Sequence, residues 1–193
     1  CTKQEANVQF TMADRKINAV MSTSAGRLFD GVSAILGIRR KSTFEGEASM
    51  ALEFVAEEYQ KNRLKNAKKM PEIPTYELLK EGNDRLLLNT GSLIKEILYR
   101  RLNGEDSDRL AYIFHQELAR QITASCVKIR EQSGCNKAAL SGGVFQNRLL
   151  LELTDHMLLE QGFEVLKHQL LPPNDGGIAL GQAVYAMAYL EKA

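Results

Sequence analysis

The residues best placed to do chemistry are polar groups set beside glycines. "SGGVFQN" (141–147) lies between an apolar, strand-like "KAALS" and a helix-like "QNRLLLELTDHMLLEQG". Gly142 and Gly143 have no side chains, so a ligand can approach the backbone closely there. A helix start adds free N–H groups and the positive end of the dipole, which suits a phosphate. Asn147 offers both a donor and an acceptor, enough to read a base edge or a sugar. A plain strand-to-helix turn accounts for the same residues, because a lone Gly-Gly pair is a weak signal.

A second candidate is "SAGRLFD" (24–30). A glycine inside a helix costs about 1 kcal/mol against alanine, so Gly26 needs a reason. Gly26 and Asp30 are four residues apart and share one helical face. A carboxylate beside the notch left by the glycine can accept both hydroxyls of a ribose. The alternative is close helix packing at Gly26 with Asp30 in solvent. A third candidate is "LLPPNDGGIALGQ" (170–182). Asp175 can cap the final helix, and Gly176 and Gly177 leave open space beside it. Its carboxylate could also ligate a cation that prefers oxygen. On local physics the cap is favoured, because no closely spaced histidine pair completes a metal site. His115, His156 and His168 are scattered and read as structural or exposed. In "TFEGEASMALE" (43–53), Glu45 and Glu47 flank Gly46 at a helix start, where the dipole favours acidic residues. No Ser/His/Asp or Cys/His arrangement, Walker A loop or GxGxxG fingerprint stands out.

These residues need elements to position them. Residues 1–20 read as an irregular leader, with a short strand at "NVQF". Residues 22–134 read as mainly helical. A helix capped by Ser24 carries a stripe of Leu28, Val32, Ile35 and Leu36. A second runs from about Glu45 to Leu64, with Met50, Leu52, Phe54 and Val55 as core candidates. "KNRLKNAKKMPEIP" reads as a basic, proline-punctuated loop. "DRLLLN" reads as a short strand, and "SLIKEILYRRLNG" as a helix ended by Gly104. A long helix follows, capped by Ser107 and stopped at Gly134. Residues 137–190 alternate strand, helix, strand, helix, which predicts a parallel pair with a crossover. The expected class is α/β, with a large helical insertion before a C-terminal β-α-β-α unit.

The 193 residues suit one domain or one lobe of a larger one, with 44% hydrophobic and 25% charged residues. The formal net charge of +1 gives no bulk attraction to nucleic acid or an anionic membrane, and neither is expected as a partner. No apolar run reaches the roughly 18 residues of a membrane span. Cys1, Cys126 and Cys135 form no metal motif or secreted disulfide framework, and Cys126 falls on an apolar helix face. A cytoplasmic location is expected. The chain begins with Cys1 and not Met, so a piece of a longer protein is expected.

In combination the motifs are more specific than singly. "SAGRLFDGVSAILG", "FEGEASMALE", "FHQELA", "LSGGVFQNRLL" and "PPNDGGIALGQA" occur in the order found in the HypF family, the [NiFe]-hydrogenase maturation carbamoyltransferases. From about Ser22 to Tyr189 the chain resembles the C-terminal part of that family. The resemblance implies a lobe of an actin-like ATPase, or ribonuclease-H-like, fold. It also implies that carbamoyl-adenylate, made from carbamoyl phosphate and ATP, gives its carbamoyl group to the C-terminal cysteine thiol of the partner HypE. Carried over residue by residue, it implies that Gly26 and Asp30 hold the ribose and that Gly142 and Gly143 lie against the nucleotide. Asn147 would contact the nucleotide, and Asp175 would bind a divalent metal. The paired metal-binding histidines and the first phosphate loop would lie before Cys1, so this lobe alone would not catalyse transfer. Where the family often has Glu-Gly-Gln-Ala-Ala, this chain has Glu45-Gly46-Glu47-Ala48-Ser49. A non-catalytic nucleotide- or protein-binding module and a small-molecule O-carbamoyltransferase are the alternatives.

Overall fold

The computed structural model describes residues 2–20, 22–66, 76–81 and 85–191. The leader is not irregular. Lys3–Asp14 form a helix, α1. Thr2 Oγ1 accepts from the Glu5 N–H at 3.2 Å, and the Glu5 carboxylate accepts from the Thr2 N–H at 2.7 Å. This reciprocal Thr-x-x-Glu cap outweighs the brief alternation of "NVQF". α1 buries none of its residues.

Ser24 caps α2 (Ala25–Leu36), which ends at Gly37 in the left-handed conformation, φ 76°. Val32 and Leu36 are buried as the stripe predicts, and Phe29 joins them. α3 (Glu47–Lys65) starts two residues later than expected. It also takes in the first residues of the basic stretch expected to be a loop, while 67–75 lie outside the described residues. Leu52 is buried, whereas Phe54 and Met50 face outward, correcting their assignment to the core. β2 (Arg85–Leu87) matches the expected strand and pairs antiparallel with β1 (Leu79–Glu81), which the sequence pattern did not reveal. α4 (Thr90–Leu102) precedes α5 (Ser107–Ser133), which stops at Gly134, φ 71°. The residue at the α5 cap position is Asp106. Ser107 instead donates its hydroxyl to the Leu36 carbonyl at 2.9 Å, tying the start of α5 to the end of α2.

α5 is the central helix, buried through most of Leu110–Thr123. Its Phe114 meets Phe29 edge-on, with 5.0 Å between ring centroids, a favoured aromatic geometry. Residues of α2, α3, α4 and α6 (Arg148–Glu160) complete this interior. The expected parallel pair is present: β3 (Lys137–Leu140) runs beside β4 (Glu164–Lys167), with α6 as the crossover. Ala138 and Leu140 point inward onto Leu158 and Phe163. Cys126 packs against that cluster, and burial pushes its thiol pKa up. The last helix, α7 (Ile178–Leu190), follows a short 3-10 turn at Asp175–Gly177. The architecture is thus mostly helical, with a small parallel sheet at one end. No helix among the described residues is long and apolar enough to cross a membrane.

Candidate functional site

The loop after β3 and the loop after β4 meet at the carboxyl ends of the parallel pair. Gly142 has φ 98° and ψ 158°, a conformation costly for any residue with a Cβ. Its N–H donates to the Pro173 carbonyl at 2.7 Å. A Cβ on Gly143 would sit 4.0 Å from the Asn174 Cβ, an ordinary contact. Ser141 Oγ and His168 Nε2, 2.9 Å apart, add a second link between the two loops. In open α/β sheets, ligands bind outside this end of the strands. After Gly142 the chain makes a 3-10 turn over Gly143–Gln146 and enters α6.

The start of α6 is not free for an anion, contrary to the expectation of a phosphate there. Glu53 on α3 accepts from the Arg148 N–H at 2.6 Å, so a carboxylate already occupies the positive end of the helix. Burial raises the Glu53 pKa, and hydrogen bonds from the Arg148 and Leu149 N–H groups oppose that rise. The Leu150 N–H is taken by Asn147 Oδ1 at 2.8 Å. Glu53 closes the "FEGEASMALE" motif, but nothing in its local sequence marked it as the partner of a helix almost a hundred residues away.

Asn147 points into the interior. Besides capping α6, its Nδ2 donates to His115 Nε2 at 3.0 Å. On the far side of the ring, His115 Nδ1 lies 2.8 Å from the Ala111 carbonyl, which can only accept. The ring proton therefore sits on Nδ1, and Nε2 is the acceptor. Burial lowers the His115 pKa to about 4, against the smaller upward effects of the Ala111 carbonyl and the Glu57 charge. The ring is neutral. Both groups expected to read a ligand on Asn147 are engaged by the protein itself.

Asp30 is linked to the start of α6 through α3. Ser49 Oγ donates to Asp30 Oδ1 at 3.0 Å, and Arg27 pairs with Oδ2 at 2.9 Å. Ser49 and Glu53 are four residues apart, on one face of α3. One turn of α3 thus holds Asp30 from one residue and the start of α6 from the next. Gly26, in the first turn of α2, faces open space: an added Cβ would meet only Ser24 Oγ, at 3.6 Å. Helix packing does not explain this glycine. Glu47 does not act as a dipole partner alone. It binds the Thr43 N–H and hydroxyl and pairs with Arg39 at 2.6 Å, and the Thr43 N–H chiefly holds its pKa down.

Asp175 is exposed, and it caps no helix. The cap of the 3-10 turn is Asn174, whose Oδ1 accepts from the Gly176 N–H at 3.1 Å. Gly177 occupies the cap position of α7 and makes no side-chain bond. The cap favoured by local physics is therefore one residue out, and the Asp175 carboxylate is left in solvent beside the Gly142 loop. Among the described residues no three His, Cys, Asp or Glu side chains gather as a metal site. A single carboxylate does not fit a metal by itself.

Residues 1–182 match a family described as the carbamoyltransferase, Kae1-like domain, second subdomain. The chain is 37% identical over 182 residues to carbamoyltransferase HypF of Rhodobacter capsulatus, covering 93% of this chain and 22% of that protein. It is 34% identical over 179 residues to the probable carbamoyltransferase HypF of Methanocaldococcus jannaschii, covering 93% and 21%. Its backbone superposes on a crystal structure of full-length HypF in a phosphate- and nucleotide-bound form with a TM-score of 0.83 at 36% identity, covering 98% of this chain and 24% of that one. A second superposition, on HypF of T. kodakarensis, has a TM-score of 0.77 at 27% identity and covers 98% and 23%. The chain spans less than a quarter of each of these proteins.

Proposed function

The chain belongs to the HypF carbamoyltransferase family, as the second subdomain of its Kae1-like domain, and on that premise we propose that it forms one wall of a nucleotide site in a carbamoyltransferase. The observation that carries this reading is the meeting of the two loops at the sheet's carboxyl end, Gly142 N–H to Pro173 carbonyl. That contact brings the loop that carries Asp175 against Gly142 and Gly143 and leaves a stretch without side chains against which a nucleotide can lie. Asp30, held by Ser49 and α3, accepts the ribose hydroxyls, with the open notch at Gly26 admitting the sugar. Asn147 contributes by holding the loop. The fold is then one lobe of an actin-like ATPase.

The reaction proposed for the whole protein is carbamoyl transfer from carbamoyl-adenylate to the C-terminal cysteine thiol of HypE. The thiolate attacks the carbonyl carbon, a C–S bond forms, the bond to the adenylate oxygen breaks, and AMP leaves. No residue of this chain is assigned to the reacting atoms. Asp175 is proposed to give one oxygen ligand to a divalent metal. Among the described residues no further ligands gather around it, so no step is derived through that ion.

The reading is tested on the full chain that carries these residues. Asp30→Ala should weaken ATP binding roughly tenfold by calorimetry, the loss expected for hydrogen bonds to a charged group, with the unfolding midpoint little changed. ATP affinity equal to that of the unaltered protein would remove Asp30 from the site.

A further inference from the structure

We infer that His115 is a positioning residue for the nucleotide loop, holding residues 142–147 in shape through Asn147. The inference rests on the reading of that loop as a nucleotide contact. His115 belongs to "FHQELA", a motif to which the proposed site gives no role. The ring is completely buried. Burying a polar ring is costly unless its nitrogens are bonded, and an apolar ring could fill the space beside Phe29 and Phe114, whose centroids lie 5.3 and 5.7 Å away. Its two nitrogens instead define a direction. Nδ1–H is fixed on the Ala111 carbonyl, and Nε2 presents its lone pair to Asn147 Nδ2.

That lone pair fixes the orientation of the Asn147 amide. With Nδ2 on His115, Oδ1 must face the Leu150 N–H. Asn147 is also the end of the turn that begins at Gly142: its N–H donates to the Val144 carbonyl at 3.1 Å, and the Phe145 N–H donates to the Gly142 carbonyl at 3.0 Å. A phenylalanine at 115 would keep the ring contacts and leave a buried amide donor without an acceptor. Such a donor reorients if it can. Turning the Asn147 amide gives up the α6 cap at the residue on which the turn ends.

The test uses the full chain carrying H115F, H115Q or G142A. Glutamine can offer its amide oxygen to Asn147 where the imidazole offered Nε2. H115F should raise the KM for ATP and weaken calorimetric ATP affinity about tenfold, the order set by one buried amide left unsatisfied, while kcat at saturating ATP holds. H115Q should recover most of that affinity. Unaltered ATP affinity in H115F, while G142A binds weakly, would overturn the positioning role and leave the loop reading standing. Equal losses in H115F and H115Q, each matching a fall in unfolding temperature, would reduce His115 to a core residue. Unaltered affinity in G142A would sink the loop reading and this inference with it.

Discussion

The helical half around α5 and the end formed by β3, β4 and α7 follow different rules. In the first, an apolar interior is covered: Val32, Leu52, Ala56, Ile97 and Phe114 have no exposure at all, although Phe54, Tyr99 and Leu102 lie outside it. In the second, α7 reads "IALGQAVYAMAYL", without a single charge, and every one of its residues is exposed. Val184 is 57% and Tyr185 75% exposed. A helix that is apolar all round is ordinarily buried, and parallel sheets are ordinarily covered on both faces. Here the inner face of the β3–β4 pair packs on α6 while Leu166 on the other is 48% exposed. The two halves of one chain therefore differ in what stabilises them. The helical half is held by its own interior, whereas the other end presents apolar surface that nothing among the described residues covers. The proposed site lies on the seam between them.

The largest effect should come from testing that contrast directly. In residues 1–193, Phe114→Ala should cost about 3–5 kcal/mol, through lost burial and the cavity left behind. Tyr185→Ala should cost no more than about 0.5 kcal/mol, as for a surface change. Urea unfolding of the two variants measures both. A cost at Tyr185 close to that at Phe114 would mean that α7 is packed in solution, and the contrast would collapse.

A smaller effect sharpens the account of the seam. The His115 pKa, about 4 in the folded protein against 6.5 for an ordinary histidine, is depressed chiefly by burial. As pH falls the unfolded chain takes up the proton first. The stability that the neutral ring protects is complete above about pH 6.5 and is lost as pH drops toward 4. From well above pH 6.5 down to pH 5 this amounts to about 2 kcal/mol. Glu53 works the other way, since its raised pKa lets the folded state gain protons on acidification. Unfolding free energies of H115F should show a flatter profile over this range. An unchanged slope would place the titration elsewhere.

Much of this was legible where the signals are local. The stripe on α2, the Gly134 stop and the strand–helix–strand succession depend on spacing within a dozen residues, and they reappear in the structure. α1 was equally legible, because "TKQE" is a capping box, and the short apolar alternation after it is the weaker signal. Phe54 and Met50 failed as core residues because a helical stripe shows that one face is apolar without showing which neighbour covers it. The site divided along the same line. The loops that carry Gly142, Gly143 and Asp175 fall together because adjacent β-α loops must lie at one end of a parallel pair. Glu53, His115 and the tie from Ser49 to Asp30 could not be found that way, since each acts on an element remote in sequence. Asn147 offered donors and acceptors in the right loop, but its partners lie on α5 and in the first turn of α6.

The smallest effect probes the joint between bundle and site. Ser49 Oγ to Asp30 Oδ1, at 3.0 Å, is the contact that fastens Asp30 to the same face of α3 as Glu53. The other partner of Asp30, Arg27, is 65% exposed, and exposed pairs of this kind contribute little. Ser49→Ala should therefore lower stability by only about 0.5–1 kcal/mol, the net worth of one hydrogen bond. The informative quantity is the coupling in a double-mutant cycle with Asp30→Asn, because it isolates the contact from the cost of each change alone. A coupling of about 0.5 kcal/mol or more means that α3 holds Asp30 in solution. Additive costs would mean that Asp30 swings free of Ser49, and α3 would then align only the start of α6.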